Sequence, residues 1–242
     1  MQDSQRLPVR PFRWVQIVLG VAAVVLGTAA VLYMTFDSPA FLHAEDGPIE
    51  VIQLISWCVA AVLAFLACAR GPQRDDRLIC AWRGVLAVVI AIRELDLHEQ
   101  LNSETLGNLG VHYRIDWWLD SSVPIWLKAG WAAIALAGIG LLLIPPLLVR
   151  PPTFRLLRAG DASTWLFILA FGLLFLGYAL DDFFGRGTII ESIQITQALE
   201  ELAELLGVWA FVASSIFLLF VPYSVRKAQV FTGSGSTHTP LF

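Results

Sequence analysis

Apolar and polar positions fall into long blocks along this chain. Five runs, at about 15–36, 51–69, 129–149, 162–180 and 205–225, contain no charged residue. Each has the ~20 residues that a helix needs to cross a bilayer. A sixth segment, at about 78–97, differs. Only nine uncharged residues, 84–92, separate Arg83 from Arg93, and the segment closes on Arg93-Glu94-Leu95-Asp96-Leu97-His98-Glu99. Lipid offers backbone N–H and C=O groups no partner, so spanning segments must be helices. The pattern predicts an all-α integral membrane bundle of six transmembrane helices, at about 14–36, 49–69, 78–97, 123–149, 162–182 and 198–225, in one domain over 1–227. The first run is too long for the apolar region of a signal peptide and reads as an uncleaved anchor. Residues 228–242, rich in Gly, Ser and Thr, read as a disordered tail.

Composition agrees. Of 242 residues, 57% are hydrophobic and 15% charged, against ~25% charged in a soluble domain. The charges then give an orientation. Arg6, Arg10, Arg13, Arg70, Arg74, Arg77, Arg83, Arg150, Arg155, Arg158, Arg226 and Lys227, 12 of the 16 basic residues, fall on one side of a six-span topology. The positive-inside rule makes that side cytoplasmic, with both termini in. Of the 20 acidic residues, all but Asp3, Asp75, Asp76 and Asp161 lie outside or in the outer ends of spans. Such a face concentrates cations and repels anions, so nucleic acid is not an expected partner. Removal of Lys and Arg from outer loops leaves some acidity by default.

Ionisable groups at membrane depth are costly and mark function more often than packing. Glu94 and His98, four apart, share a helix face, while Asp96 points elsewhere. These acids stand at a helix C-terminus, where the dipole disfavours negative charge. A compensating cation is expected: Arg93, protonated His98, Lys128, a metal ion or the acids' own protons. Asp181 and Asp182 repeat the arrangement at the end of the fifth span. Glu200, Glu201 and Glu204 open the sixth, where Thr196 is the expected cap. Capping explains one or two of those acids, not three. Gly47 as cap, Pro48 at the first helical position and Glu50 in the first turn make a helix start. Gln53 lies one turn deeper and needs a partner, with Trp57 one turn further. Carboxylates from four helices (Glu50, Glu94 with Asp96, Asp181 with Asp182, Glu200 with Glu204) thus reach a similar outer depth. His43, His98 and His112 lie on the same side, and carboxylate with imidazole suits Zn, Mn or Fe.

Elsewhere the features are structural. Lys128 reads as snorkelling to the interface or pairing with an acid. Ala129, Ala133 and Ala137 form a small-residue stripe for close helix packing. Pro145-Pro146 ends or bends the fourth span. Residues 100–122, with Trp117-Trp118, read as a loop on the outer interface. Cys58, Cys68 and Cys80 lie within spans, so no disulfide is expected.

In the motifs Glu45-Asp46-Gly47-x-x-Glu50, Arg93-Glu94-x-Asp96-x-His98 and Glu200-Glu201-x-x-Glu204 the chain resembles a bacterial multi-pass inner-membrane family. The resemblance covers most of the spans and implies an inner-membrane location and a shared polar site, with no activity to carry over. Ceramidase-like hydrolases are a looser comparison; they have seven spans and a zinc held by histidines, where this chain offers His98 alone at such depth.

Three functions fit these observations. The first is an outer-facing acidic site that binds a divalent metal ion and acts on a lipid or lipid-linked substrate. Glu94, Asp96, His98 and Glu50 would be its acid/base groups, and Glu50, Glu94, His98, Asp181, Glu200 and Glu204 its ligands. The second is a proton- or cation-coupled transporter. The third is a non-catalytic subunit or scaffold docking a membrane-protein partner or a second copy, its acids engaged in a salt-bridge cluster around Arg93.

Overall fold

A computed structural model describes residues 47–95, 118–180 and 193–232. The expected first span, most of the 100–122 loop, and Asp96, His98, Asp181 and Asp182 lie outside the described residues. Within them the chain is helical: α1 Pro48–Arg70, α2 Arg74–Glu94, α3 Ile125–Val149, α4 Thr153–Arg158, α5 Ala162–Ala179, α6 Ile193–Phe220 and α7 Tyr223–Thr232. Four stretches are long and apolar enough to cross a membrane: Pro48–Arg70, Ile125–Val149, Ala162–Ala179 and Gln197–Phe220. The helix of the charged segment, α2, with 21 residues is of similar length, but its polar residues set it apart and packing decides where they go.

Helices α1 and α2 form a hairpin across Gly71-Pro72-Gln73. Gln73 and Asp76 cap α2 reciprocally, each side chain taking the other's backbone N–H, which satisfies two donors that a helix start leaves open. The hairpin packs closely because its facing positions are small. Ala60, Ala64 and Ala87 are fully buried, and a Cβ on Gly84 would lie 2.8 Å from the Phe65 ring. In lipid, close packing of small residues substitutes for the hydrophobic drive between helices. Helix α6 packs on α1 and on α5, and α3 rests on the outside of α2. At mid-depth Trp57, Phe167, Phe171 and Phe211 interlock, with centroid separations of 4.9–6.3 Å, an apolar layer between the two ends of the bundle.

The pair Pro145-Pro146 neither ends nor breaks α3, which runs on to Val149 and stops at Arg150 in a left-handed conformation (φ 49°). Proline cannot donate to the carbonyl four residues back, so Pro145 frees the Leu141 carbonyl. The Trp82 indole N–H of α2 takes it at 2.8 Å. Trp82→Phe is therefore expected to destabilise the protein by about 0.5–2 kcal/mol, measured by reversible unfolding in detergent micelles. In a Pro145→Ala background, where the helix supplies its own donor, the same change should cost much less.

Three expectations change. The sixth helix already runs at Ile193, so Thr196 is not its cap, and it stops at Phe220 rather than near 225. Pro222, lacking an N–H, interrupts it, and α7 carries the helix through 228–232, into the segment expected as tail. The Ala129–Ala133–Ala137 stripe is exposed among the described residues, and a Cβ on Gly138 would meet nothing within 4 Å.

Candidate functional site

The hairpin brings the start of α1 beside the end of α2, and α6 places its first turns against both. Gln53, completely buried, donates from Nε2 to the Glu201 carbonyl at 2.9 Å and to Glu201 Oε2 at 3.0 Å. Both partners are acceptors, so the amide orientation is determined. Its other atom, Oε1, is buried with no hydrogen-bond partner among the described residues. Arg93, at the end of α2, reaches Glu204 Oε1 at 3.5 Å, and Glu204 is 7% exposed. The Glu204 stem crosses α5 at Gly177, where a Cβ would stand 2.8 Å from Glu204 Cγ. Glycine at 177 is what lets this carboxylate lie between the helices.

Of the expected site residues, Glu50, Glu94 and Glu204 share one electrostatic neighbourhood, with Arg93 as the basic group acting on Glu94. Glu201, which the sequence places among the acids of the sixth helix but not among the expected site residues, belongs to the same neighbourhood. The signal was present: Gln53 required a buried partner, and Glu201 and Glu204, three apart, share a helix face. Glu200, expected as a ligand, is half-buried and is not among the groups acting on Glu94 or Glu201. No group of three His, Cys, Asp or Glu among the described residues is placed to hold a metal ion; the expected ligands His98 and Asp181 lie outside them. Among the described residues Lys128 pairs with no acid directly. It donates to the carbonyls of Trp118 at 2.9 Å and Asp120 at 2.7 Å, closing the turn before α3. The Ser122 hydroxyl and N–H, then Lys128, hold the exposed Asp120 carboxyl below the usual carboxylate range.

The other end of the bundle carries a polar network that only Arg83 announced in the sequence. Asp161 caps α5 by accepting from Thr164 N at 2.9 Å, and also pairs with Arg226 of α7. Asp76 accepts from Ser224 N at 2.7 Å and Ser224 Oγ at 2.8 Å. Ser163 and Ser214 bind reciprocally across α5 and α6: Ser214 Oγ donates to the Ser163 carbonyl at 2.7 Å and Ser163 Oγ to the Ser214 carbonyl at 3.1 Å. Arg83 Nη1 donates to both hydroxyls, at 2.6 Å to Ser214 and 3.3 Å to Ser163, with its guanidinium 4.0 Å from the Phe167 ring centroid.

No protein-family model matches the chain, and no curated protein or solved structure shows significant similarity to it.

Proposed function

We propose that this protein is a six-span membrane protein of the bacterial inner membrane whose acidic end faces outward and binds a cation there, a divalent metal ion, to act on a lipid or lipid-linked substrate of the outer leaflet. The observation that carries this reading is the Gln53 amide. Its N–H groups are spent on Glu201, and its carbonyl oxygen is buried without a donor among the described residues, in a region shared by Glu50, Glu94, Glu201, Glu204 and Arg93. A buried acceptor without a donor beside clustered carboxylates calls for a cationic or protonated ligand. Carboxylate and amide oxygens suit a hard divalent ion, and His98, four residues beyond Glu94, would add an imidazole. The six-span count and the cytoplasmic placing of the basic end rest on the first apolar run and on charge alternation. The Trp57–Phe211–Phe167 layer between the two ends argues against a continuous hydrophilic path and so against the transporter.

Elemental analysis of detergent-purified protein, wild type beside Glu94→Ala, tests this. The expected result is a stoichiometric divalent metal in the wild type that the variant lacks. No metal in either, with thermal stability unchanged by chelator, overturns the metal reading and leaves protonated acids, a transporter or a salt-bridged scaffold.

A further inference from the structure

Between α2, α5 and α7 lies a cavity of about 140 Å³, at the basic end and far from the acidic site. Its wall includes Trp82, Phe167, Arg83, Tyr223 and Arg226. The last three are 5%, 2% and 7% exposed. Each carries a buried donor with no hydrogen-bond partner among the described residues: Arg83 Nε, Arg226 Nε and the Tyr223 hydroxyl. Burial pushes the Tyr223 phenol up to about 12, with Asp75 adding to it, so the hydroxyl keeps its proton at neutral pH. The two guanidiniums repel each other. Asp161 pairs with Arg226 but does not line this cavity, while among the described residues Arg83 binds hydroxyls and a ring face. Three side chains that each carry an unsatisfied donor, two of them cationic, therefore line an otherwise largely apolar space with room for several water-sized groups.

We propose that this cavity binds a phosphate-class oxyanion, the phosphate of a lipid headgroup or free inorganic phosphate, held by Arg83, Arg226 and Tyr223. A buried donor left unmade is expensive, and two arginines with a neutral hydroxyl match a tetrahedral oxyanion better than a single carboxylate would. A second cavity, of about 260 Å³, shares Arg226 and Leu156 with the first and is lined by Ala162, Phe217, Val221 and Val230 beside the polar Asp161 and Ser163. An acyl chain would fit its chemistry, which favours the headgroup as the source.

The full-length protein, delipidated in detergent, would be titrated with inorganic phosphate, and separately reconstituted into nanodiscs of phosphatidylglycerol or phosphatidylcholine. Thermal stability and native mass spectra of retained lipid are the readouts. Stabilisation by inorganic phosphate assigns the site to the free ion. Stabilisation and retention specific to phosphatidylglycerol assign it to the headgroup. Either is expected to weaken about tenfold or more in Tyr223→Phe, which removes one oxygen and keeps the ring, and to vanish in Arg83→Gln. If neither probe binds the wild type, or if Tyr223→Phe binds as tightly as wild type, the proposal is overturned. Tyr223→Phe keeps the test decisive should Arg83→Gln fail to fold.

Discussion

Replacing Asp161 by alanine is expected to destabilise the protein by about 3–5 kcal/mol, the larger part from Arg226. This carboxylate performs two tasks with one oxygen. It caps α5 through Thr164 N, and it pairs with the guanidinium of α7, the two side chains being 12% and 7% exposed. Loss of a cap alone costs about 1 kcal/mol. Loss of the pair leaves Arg226 buried and unpaired while Arg83, also buried, repels it. Breaking a buried pair from one side costs far more than the pair contributes as a whole, because the remaining charge keeps its desolvation penalty. Asp161→Asn separates the tasks, since it retains a cap acceptor and loses only the charge; it should lie between alanine and wild type. Arg226→Met added to Asp161→Ala should recover much of the loss. Urea or SDS unfolding monitored by tryptophan fluorescence would read all four proteins. If Asp161→Ala loses no more than a cap is worth, the α5–α7 contact is not the fastening described.

The two ends of the bundle differ in how legible they were from sequence. The acidic end announced itself through Glu94, which stands at a helix C-terminus against the dipole, and through Glu200, Glu201 and Glu204, more acids than capping the sixth helix needs; Glu50 alone reads equally well as a partner of its own helix start. What could not be read was which of them meet. Helical spacing groups residues within one helix, but which face of α6 turns toward α1 is decided by packing, and that packing selects Glu201 through Gln53 rather than Glu200. The basic end was nearly silent. Asp76, Asp161, Ser163, Ser214 and Ser224 are ordinary residues at helix ends and in apolar runs, and nothing in their spacing brings residues 131 positions apart, such as Arg83 and Ser214, into contact. The α3 prolines show the same limit. Their consequence for Leu141 follows from covalent geometry, whereas the rescue by Trp82 depends on a neighbouring helix at the right height.

Gly177→Ala is expected to destabilise by about 1–3 kcal/mol and to release the cation proposed for the acidic site, an effect that no loss of contact area would account for. The new methyl would stand 2.8 Å from Glu204 Cγ and 3.4 Å from the Glu200 carbonyl. Real carbon atoms do not approach so closely, so either α5 and α6 separate or the Glu204 stem swings away. Separation is resisted where Gly207 meets the Ala170 carbonyl, at 3.2 Å from an added Cβ, and Leu174. The side chain is the softer element, and its displacement takes Oε1 away from Arg93. Glu204→Ala removes the obstructing stem, so Gly177→Ala should cost markedly less in that background than in wild type. The difference between the two measures the coupling. A glycine that serves only close helix packing would give additive losses. A glycine that admits the carboxylate gives a non-additive pair, and its single variant loses the cation proposed for the acidic site even where the protein remains folded. Unfolding free energies for the four proteins, with metal content measured on each, distinguish the two roles. Additive losses with metal content unchanged in Gly177→Ala would show that Glu204 does not depend on the space that Gly177 leaves.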